Sequence, residues 1–292
     1  MRDFSSDHRW LSINTATVRQ QHGQDWPLLQ ILDACAARGI RAIAPWRDQV
    51  AAAGLAATSR AVKAHGFELS GYCRGGMFTY SDAAGRQAAR DDNRRALDEA
   101  CELGATCLVL VVGGLPGALA GKPAHKDIAA VRAQVRDGTA ELLADARERG
   151  MPLAIEPLHP MYAADRACIN TLEQALDLCD ALDPSRSGAL GVAVDAYHVW
   201  WDPKLAQQIA RAGRERLLAF HVCDWLVPTT DLLNDRGMMG DGVIDLRGLR
   251  ALVEAQGYAG YSEVEIFSAQ NWWRRDGGEV LDTCLQRHRD CV

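Results

Sequence analysis

Short apolar runs alternate along this chain with longer stretches in which apolar residues recur every three or four positions, and the alternation repeats eight times. The short runs, read as strands, are Trp10 to Asn14, Arg41 to Trp46, Phe67 to Cys73, Thr106 to Val112, Pro152 to Glu156, Leu190 to Asp195, Leu217 to Val222 and Gly260 to Phe267. The amphipathic stretches between them predict helices over Pro27 to Arg38, Val50 to Ala64, Arg86 to Leu103, Ile128 to Arg149, Leu172 to Ala181, Leu205 to Ala212, Leu246 to Gln256 and Glu279 to His288. Gly39, Gly66, Gly104, Gly150 and Gly257 each follow a helix and precede the next strand, where a stop signal belongs. Helix, glycine and short apolar strand in repetition is the signature of parallel βα units.

Eight such units predict an α/β protein folded as a single (β/α)8 TIM barrel. Barrels of this kind share about 250 residues among eight units, roughly 30 each, and no Ser/Gly/Pro-rich linker or charge block divides residues 1 to 292, so one domain is expected. Period-two alternation places Glu156, Asp195 and His221 on one face with Ala154, Ala193 and Ala219, and Ile155, Val194 and Phe220 on the other. The bulky face would lie under the helices, and the small face would leave room inside the barrel. Two long segments, Gly113 to Asp127 and Cys223 to Asp245, are expected to wall the site.

Catalytic groups in such barrels collect where strands run out into loops. Four apolar runs end in that way on a metal-binding type of side chain: Glu156, Asp195, His221 and Glu265, spaced by 39, 26 and 44 residues. Each arrives on its own βα unit. Three carboxylates and one imidazole suit one divalent cation, Mn²⁺ first and Mg²⁺ or Co²⁺ next, better than structural zinc. Four ligands leave two octahedral places open for adjacent oxygens of a hydroxy-ketone, whose enediolate charge the cation would stabilise. Glu156 and Glu265 could also flank the substrate as acid and base; the other reading makes them ligands only and leaves the proton to water or His198.

His198, three residues after Asp195, could contact a substrate oxygen or support a ligand, and Asp224, three after His221, could orient that imidazole. Arg74 follows the third strand beside glycines and could hold a carboxylate or hydroxyl of substrate, or form a surface salt bridge. Six of eight tryptophans, Trp46, Trp200, Trp201, Trp225, Trp272 and Trp273, fall at strand ends. As a group they favour a neutral carbohydrate; singly, each reads as loop or interface packing. Glu263 lies one layer below Glu265 and must be protonated, paired or an alternative ligand. Gly240-Asp241-Gly242 reads as a turn.

Composition removes other classes. A net charge of −6 argues against a nucleic-acid binder, and no apolar stretch approaches the roughly 18 residues of a membrane span. The N-terminal residues carry no secretory pattern. Nine cysteines without a C-x-x-C pair predict reduced, mostly buried thiols in the cytoplasm.

The motifs I-E-P at Glu156, V-D-x-x-H at Asp195 and His198, H-V-C-D at His221, G-D-G-V-I-D at Gly240 to Asp245 and V-E-I-F at Glu265 together resemble the xylose isomerase-like TIM barrel superfamily, in its sugar phosphate isomerase/epimerase branch. That resemblance implies Glu156, Asp195, His221 and Glu265 as metal ligands, the two glutamates as the acid/base pair of ketose 3-epimerases, and His198 as a substrate contact. It implies a small-molecule carbohydrate or keto-acid substrate and a homodimer or tetramer. Ketose 3-epimerases carry a further glutamate and arginine where this chain has Tyr162 and Val227. The expected activity is a metal-dependent isomerase or epimerase, with an inosose- or 3-dehydroshikimate-type dehydratase (a lyase) as the alternative. Apurinic-site repair, also found in the superfamily, needs histidines where the second and third strands end, and Trp46 and Arg74 stand there instead.

Overall fold

The computed structural model describes residues 2–4 and 6–292; Met1 and Ser5, within the N-terminal segment read above, lie outside the described residues. The barrel strands are Leu11–Asn14, Ala42–Ala44, a third in two pieces (Glu68–Leu69 and Tyr72–Gly76), Leu108–Val111, Leu153–Ile155, Leu190–Asp195, Leu217–Val222 and Ser262–Val264. Every neighbouring pair among them is parallel, and the eighth strand returns to the first with Leu11 opposite Ser262. The first piece of the third strand pairs with the second strand and the other with the fourth. Bridges from Trp46 to Cys73 and from Leu69 to Ala105 stitch this seam. The expected TIM barrel is therefore the fold.

Helices fill the crossovers as the periodicity predicts, with two differences of detail among them and one in a strand. The stretch expected over Val50 to Ala64 is two helices, Arg47–Ala53 and Leu55–His65, because Gly54 takes φ 88° between them. The helix from Leu205 runs on to Arg216 across a non-helical Gly213. The third strand breaks at Ser70 and Gly71, where Ser70 turns inward to meet Ser12 Oγ at 2.6 Å and Glu263 Oε2 at 2.7 Å. Asp82, Asp127, Asp245 and Asp276 cap four helices through their side chains, each worth about 1 kcal/mol.

The alternation of small and bulky positions separates two cores. Ala154, Ala193 and Ala219 pack inside the barrel with Cys73, Cys107 and Val109, while Ile155, Val194 and Phe220 join the large cluster beneath the helices. A barrel interior filled by small residues at this level has volume left for polar heads just above it, at the ends where the strands enter their loops.

Candidate metal centre and its cavity

Asp195 ends the sixth strand and His221 is the penultimate residue of the seventh. Glu156 and Glu265 stand one residue beyond the fifth and eighth, and their backbone amides continue the ladders by donating to Leu110 O at 3.0 Å and Val222 O at 3.2 Å. Backbone pairing fixes all four. One donor atom from each lies within 4.8 Å of the others, and all four side chains are buried. Three carboxylates taken out of water this close together need compensating cations.

Protein groups supply part of that compensation. His221 turns Nδ1 toward Glu156 Oε1 at 3.0 Å and Glu265 Oε2 at 3.6 Å. Its Nε2 points the other way, 3.5 Å from Glu263 Oε1, without a hydrogen bond. Arg236, itself buried, places Nη1 at 3.0 Å from Asp195 Oδ2 and 3.2 Å from Glu265 Oε2. The other Asp195 oxygen accepts the Tyr197 amide at 2.7 Å, so one oxygen holds the loop and one faces the centre.

These neighbours split the two glutamates. Burial pushes Glu156 up to about 7, with Glu265 adding to the rise and His221 opposing it. Burial pushes Glu265 up as well, but Arg236 and His221 outweigh it and hold the carboxyl low. Burial also holds His198 neutral, near 3. His198 Nδ1 faces the His159 amide at 3.1 Å and its Nε2 faces Arg236 Nη2 at 3.1 Å. A neutral imidazole has one lone pair for these two donors, so one donor beside the centre is left in search of an acceptor.

Glu263 is paired, as one of its three expected alternatives required. It accepts from Asn14 Nδ2 at 2.8 Å and Ser70 Oγ at 2.7 Å, and faces His221 Nε2. Asn14 also donates to Glu265 Oε1 at 3.2 Å, and its own oxygen accepts Trp46 Nε1 at 2.7 Å.

A cavity opens over the centre, and its wall mixes apolar side chains with a few convergent polar groups, as small-molecule sites do. Glu156, Glu265, His198, Trp46 and Arg74 line it, joined by Tyr162, Arg166, Arg236 and Phe267 and by an apolar strip that includes Leu119, Leu158 and Leu233. Both long loops reach it, through Leu119 and through Leu233 with Arg236. The second loop is tethered where the Tyr162 and Tyr197 hydroxyls both donate to Leu232 O, the latter at 3.1 Å.

Two residues singled out from sequence stand elsewhere. Trp225 is absent from the cavity wall and packs against His159, Tyr197 and Trp200, with ring centroids 4.9, 4.7 and 5.8 Å away. Asp224 turns from His221 and accepts the amides of Trp225, Gly240 and Ile244 at 2.9 to 3.0 Å, shaping the turn around Gly242. Of the six strand-end tryptophans only Trp46 reaches the cavity, where it is in edge contact with Phe267 at 5.3 Å and shares the wall with Tyr162.

Sequence reading missed Asn14, Arg236 and Arg166. Asn14 ends the first strand on a polar side chain, the same signal that found the other four. Arg236 opens a two-residue strand, Arg236–Gly237, that pairs antiparallel with Asp224–Trp225 within the long segment, and Arg166 sits in a loop, so neither has an apolar run to mark it.

A family model described as xylose isomerase-like TIM barrel matches residues 32–284. The structure of protein SMc04130 from Sinorhizobium meliloti 1021 is 60% identical, with a TM-score of 0.90 over 97% of this chain and 98% of that one. The IolI protein with a bound zinc atom superposes with a TM-score of 0.78 at 19% identity over 97% of both chains. D-psicose 3-epimerase in the presence of D-fructose gives 0.73 at 16% identity over 96% of this chain and 98% of that one. The last two are likenesses of fold. No protein with a curated description matches the sequence.

Proposed function

We propose, for a chain that belongs to the xylose isomerase-like TIM barrel family, that it is a divalent-metal-dependent isomerase or epimerase of a small carbohydrate or keto acid. One observation carries this reading: four buried side chains from four successive strands bring one donor atom each to within 4.8 Å at the floor of a cavity. The residues fit a cation on their own terms, since a guanidinium already lies against Asp195 and Glu265 and three carboxylates otherwise crowd a single imidazole. Glu156, Asp195, His221 and Glu265 would hold the ion, and their oxygen-rich character favours Mn²⁺, then Mg²⁺ or Co²⁺. When bound, it would polarise a substrate carbonyl and favour negative charge on its oxygen.

The chain's own residues supply the rest. Glu156 and Glu265 reach the cavity from strands separated by two others, so they can meet the two faces of a substrate carbon and move a proton off one and onto the other. His198 and Arg236 offer donors to substrate oxygens, and Trp46 with Phe267 covers its C–H face. The family and structural likenesses support isomerase or epimerase chemistry at this level.

Turnover of a ketose, inosose and keto-acid panel before and after exhaustive chelation tests the proposal. Activity that falls with the metal and returns on Mn²⁺ addition is expected; full turnover without metal would sink it. A product lighter by one water would move the assignment to a dehydratase on the same scaffold.

A further inference from the structure

Two guanidiniums face this cavity without a carboxylate in hydrogen-bond contact. Arg74 makes no hydrogen bond or ion pair with any described residue, and the nearest carboxylate to Arg166 is its neighbour Asp165 at 4.0 Å, with Arg166 Nε unsatisfied. The cavity's own carboxylates are taken: Glu156 by His221 and Glu265 by Arg236. So are the acids behind Arg74, because Asp92 and Glu99 both bind Arg47, and Asp92 binds Arg95 as well. Arg74 is largely withdrawn from water, and the like charges of Arg166 and Arg47 act on it against a partial offset from Cys73 and Asp92, with burial the largest influence.

The backbone is built to put Arg74 there. Cys73 pairs with Val109 and Gly75 with Leu110, which leaves Arg74 as the extra residue of a bulge. Bulges re-aim a side chain beside active sites. The two glycines that follow allow it: a Cβ on Gly75 would touch Leu108 and Leu110 at 3.0 Å, and one on Gly76, at φ 101°, would stand 2.1 Å from Val111 O. Arg166 is held by a second device. The loop that carries it bonds to the loop after the fourth strand through Leu115 N to Ala164 O at 2.6 Å and Cys168 N to Gly113 O at 2.9 Å.

We propose that Arg74 and Arg166 form an anion-binding pair that takes the carboxylate or phosphate of an acidic substrate whose carbonyl end lies over Glu156 and Glu265. This rests on the reading of the cavity as an active site and narrows it, replacing the neutral sugar that the tryptophans suggested. Two like charges in one wall with no carboxylate in hydrogen-bond contact are costly, and a planar fork pair matches the oxygens of either anion.

Three ketoses that differ only at C6 test the pair on the metal-loaded protein by calorimetric titration: D-fructose, D-fructuronate and D-fructose 6-phosphate. At least one acidic member is expected to bind about tenfold or more tighter than D-fructose, and which of the two does so separates carboxylate from phosphate. Arg74→Gln and Arg166→Gln should each remove about tenfold of that advantage, measured as the ratio of acidic ketose to D-fructose affinity in the same variant, and the lysine variants should restore part of it. Equal affinities for all three, no measurable binding of any, or an advantage that survives both substitutions would overturn the proposal. Its failure is distinct from that of the catalytic reading: metal-dependent turnover of neutral ketoses would leave the enzyme standing without the anion pair. Arginine-dependent binding of acids without metal-dependent turnover would leave the pair standing without the proposed chemistry.

Discussion

Glu263 shows how much of the centre is decided one residue at a time. Its carboxylate is buried among Asn14, Ser70 and His221 Nε2, on the side of the imidazole away from Glu156 and Glu265. A metal-bound histidine is oriented by what its other nitrogen meets, here the Glu263 carboxylate as a charge 3.5 Å away and not a hydrogen-bond partner, and losing such an outer partner costs about 10- to 100-fold in metal affinity. Glu263→Gln is therefore expected to weaken Mn²⁺ binding within that range in a calorimetric titration, with the fold retained by circular dichroism; unchanged affinity would deny Glu263 this role. His288 carries a different consequence. It stacks on Phe4 at 4.4 Å with neither ring nitrogen bonded, and burial, with Arg250, His8, Arg2 and Arg289 nearby, pushes its folded pKa down to about 3. The unfolded chain therefore binds a proton below about 6.5 that the folded chain refuses. Its contribution to stability is full above pH 6.5 and is lost as pH falls toward 3, by about 2 kcal/mol at pH 5. His288→Leu should flatten that part of the stability profile in urea titrations between pH 7 and pH 5, and an unchanged slope would contradict it.

At the scale of elements, the site depends on where strands stop and how loops return. Gly76→Ala places a Cβ against Val111 O at a positive φ, so it should cost about 3 kcal/mol or more in chemical denaturation. Gly104→Ala, also at positive φ but facing open space, should cost about 1 kcal/mol; equal losses would mean the bulge around Arg74 is not tightly constrained. Strand ends were the legible part of this protein. Glu156, Asp195, His221 and Glu265 each close an apolar run, and period two put their small neighbours inside the barrel, because the backbone alone fixes both facts. Asn14 obeys the same rule and was passed over because asparagine is not a metal-ligand type. Arg236 could not be read that way: it reaches Asp195 and Glu265 from a two-residue strand inside a long segment whose path is set by its pairing with Asp224–Trp225 and by Asp224 accepting amides 16 and 20 residues away. Trp225 misled for the converse reason, since a residue just past a strand end can turn outward into aromatic packing.

Across the whole molecule, the chain carries −6 in total, yet its cavity gathers Arg74, Arg166 and Arg236 over three buried carboxylates and His221. That separation of charge is paid for by burial elsewhere, in the helix-covered core, and would be relieved at the floor by the proposed cation. A ligand that binds only the folded state stabilises it by about 2.7 kcal/mol at a concentration 100 times its Kd, so Mn²⁺ should raise the melting temperature of the wild type and much less that of Asp195→Asn; equal shifts would place the ion elsewhere. The most direct test of the account is exchange of the proton next to the carbonyl in deuterated water, followed by NMR on the ketose and keto-acid panel with Mn²⁺-loaded wild type, chelated wild type and Glu265→Gln. Exchange that requires both the metal and Glu265 is the expected result, whereas a protein that holds its metal at these four residues and exchanges no proton on any member would contradict it.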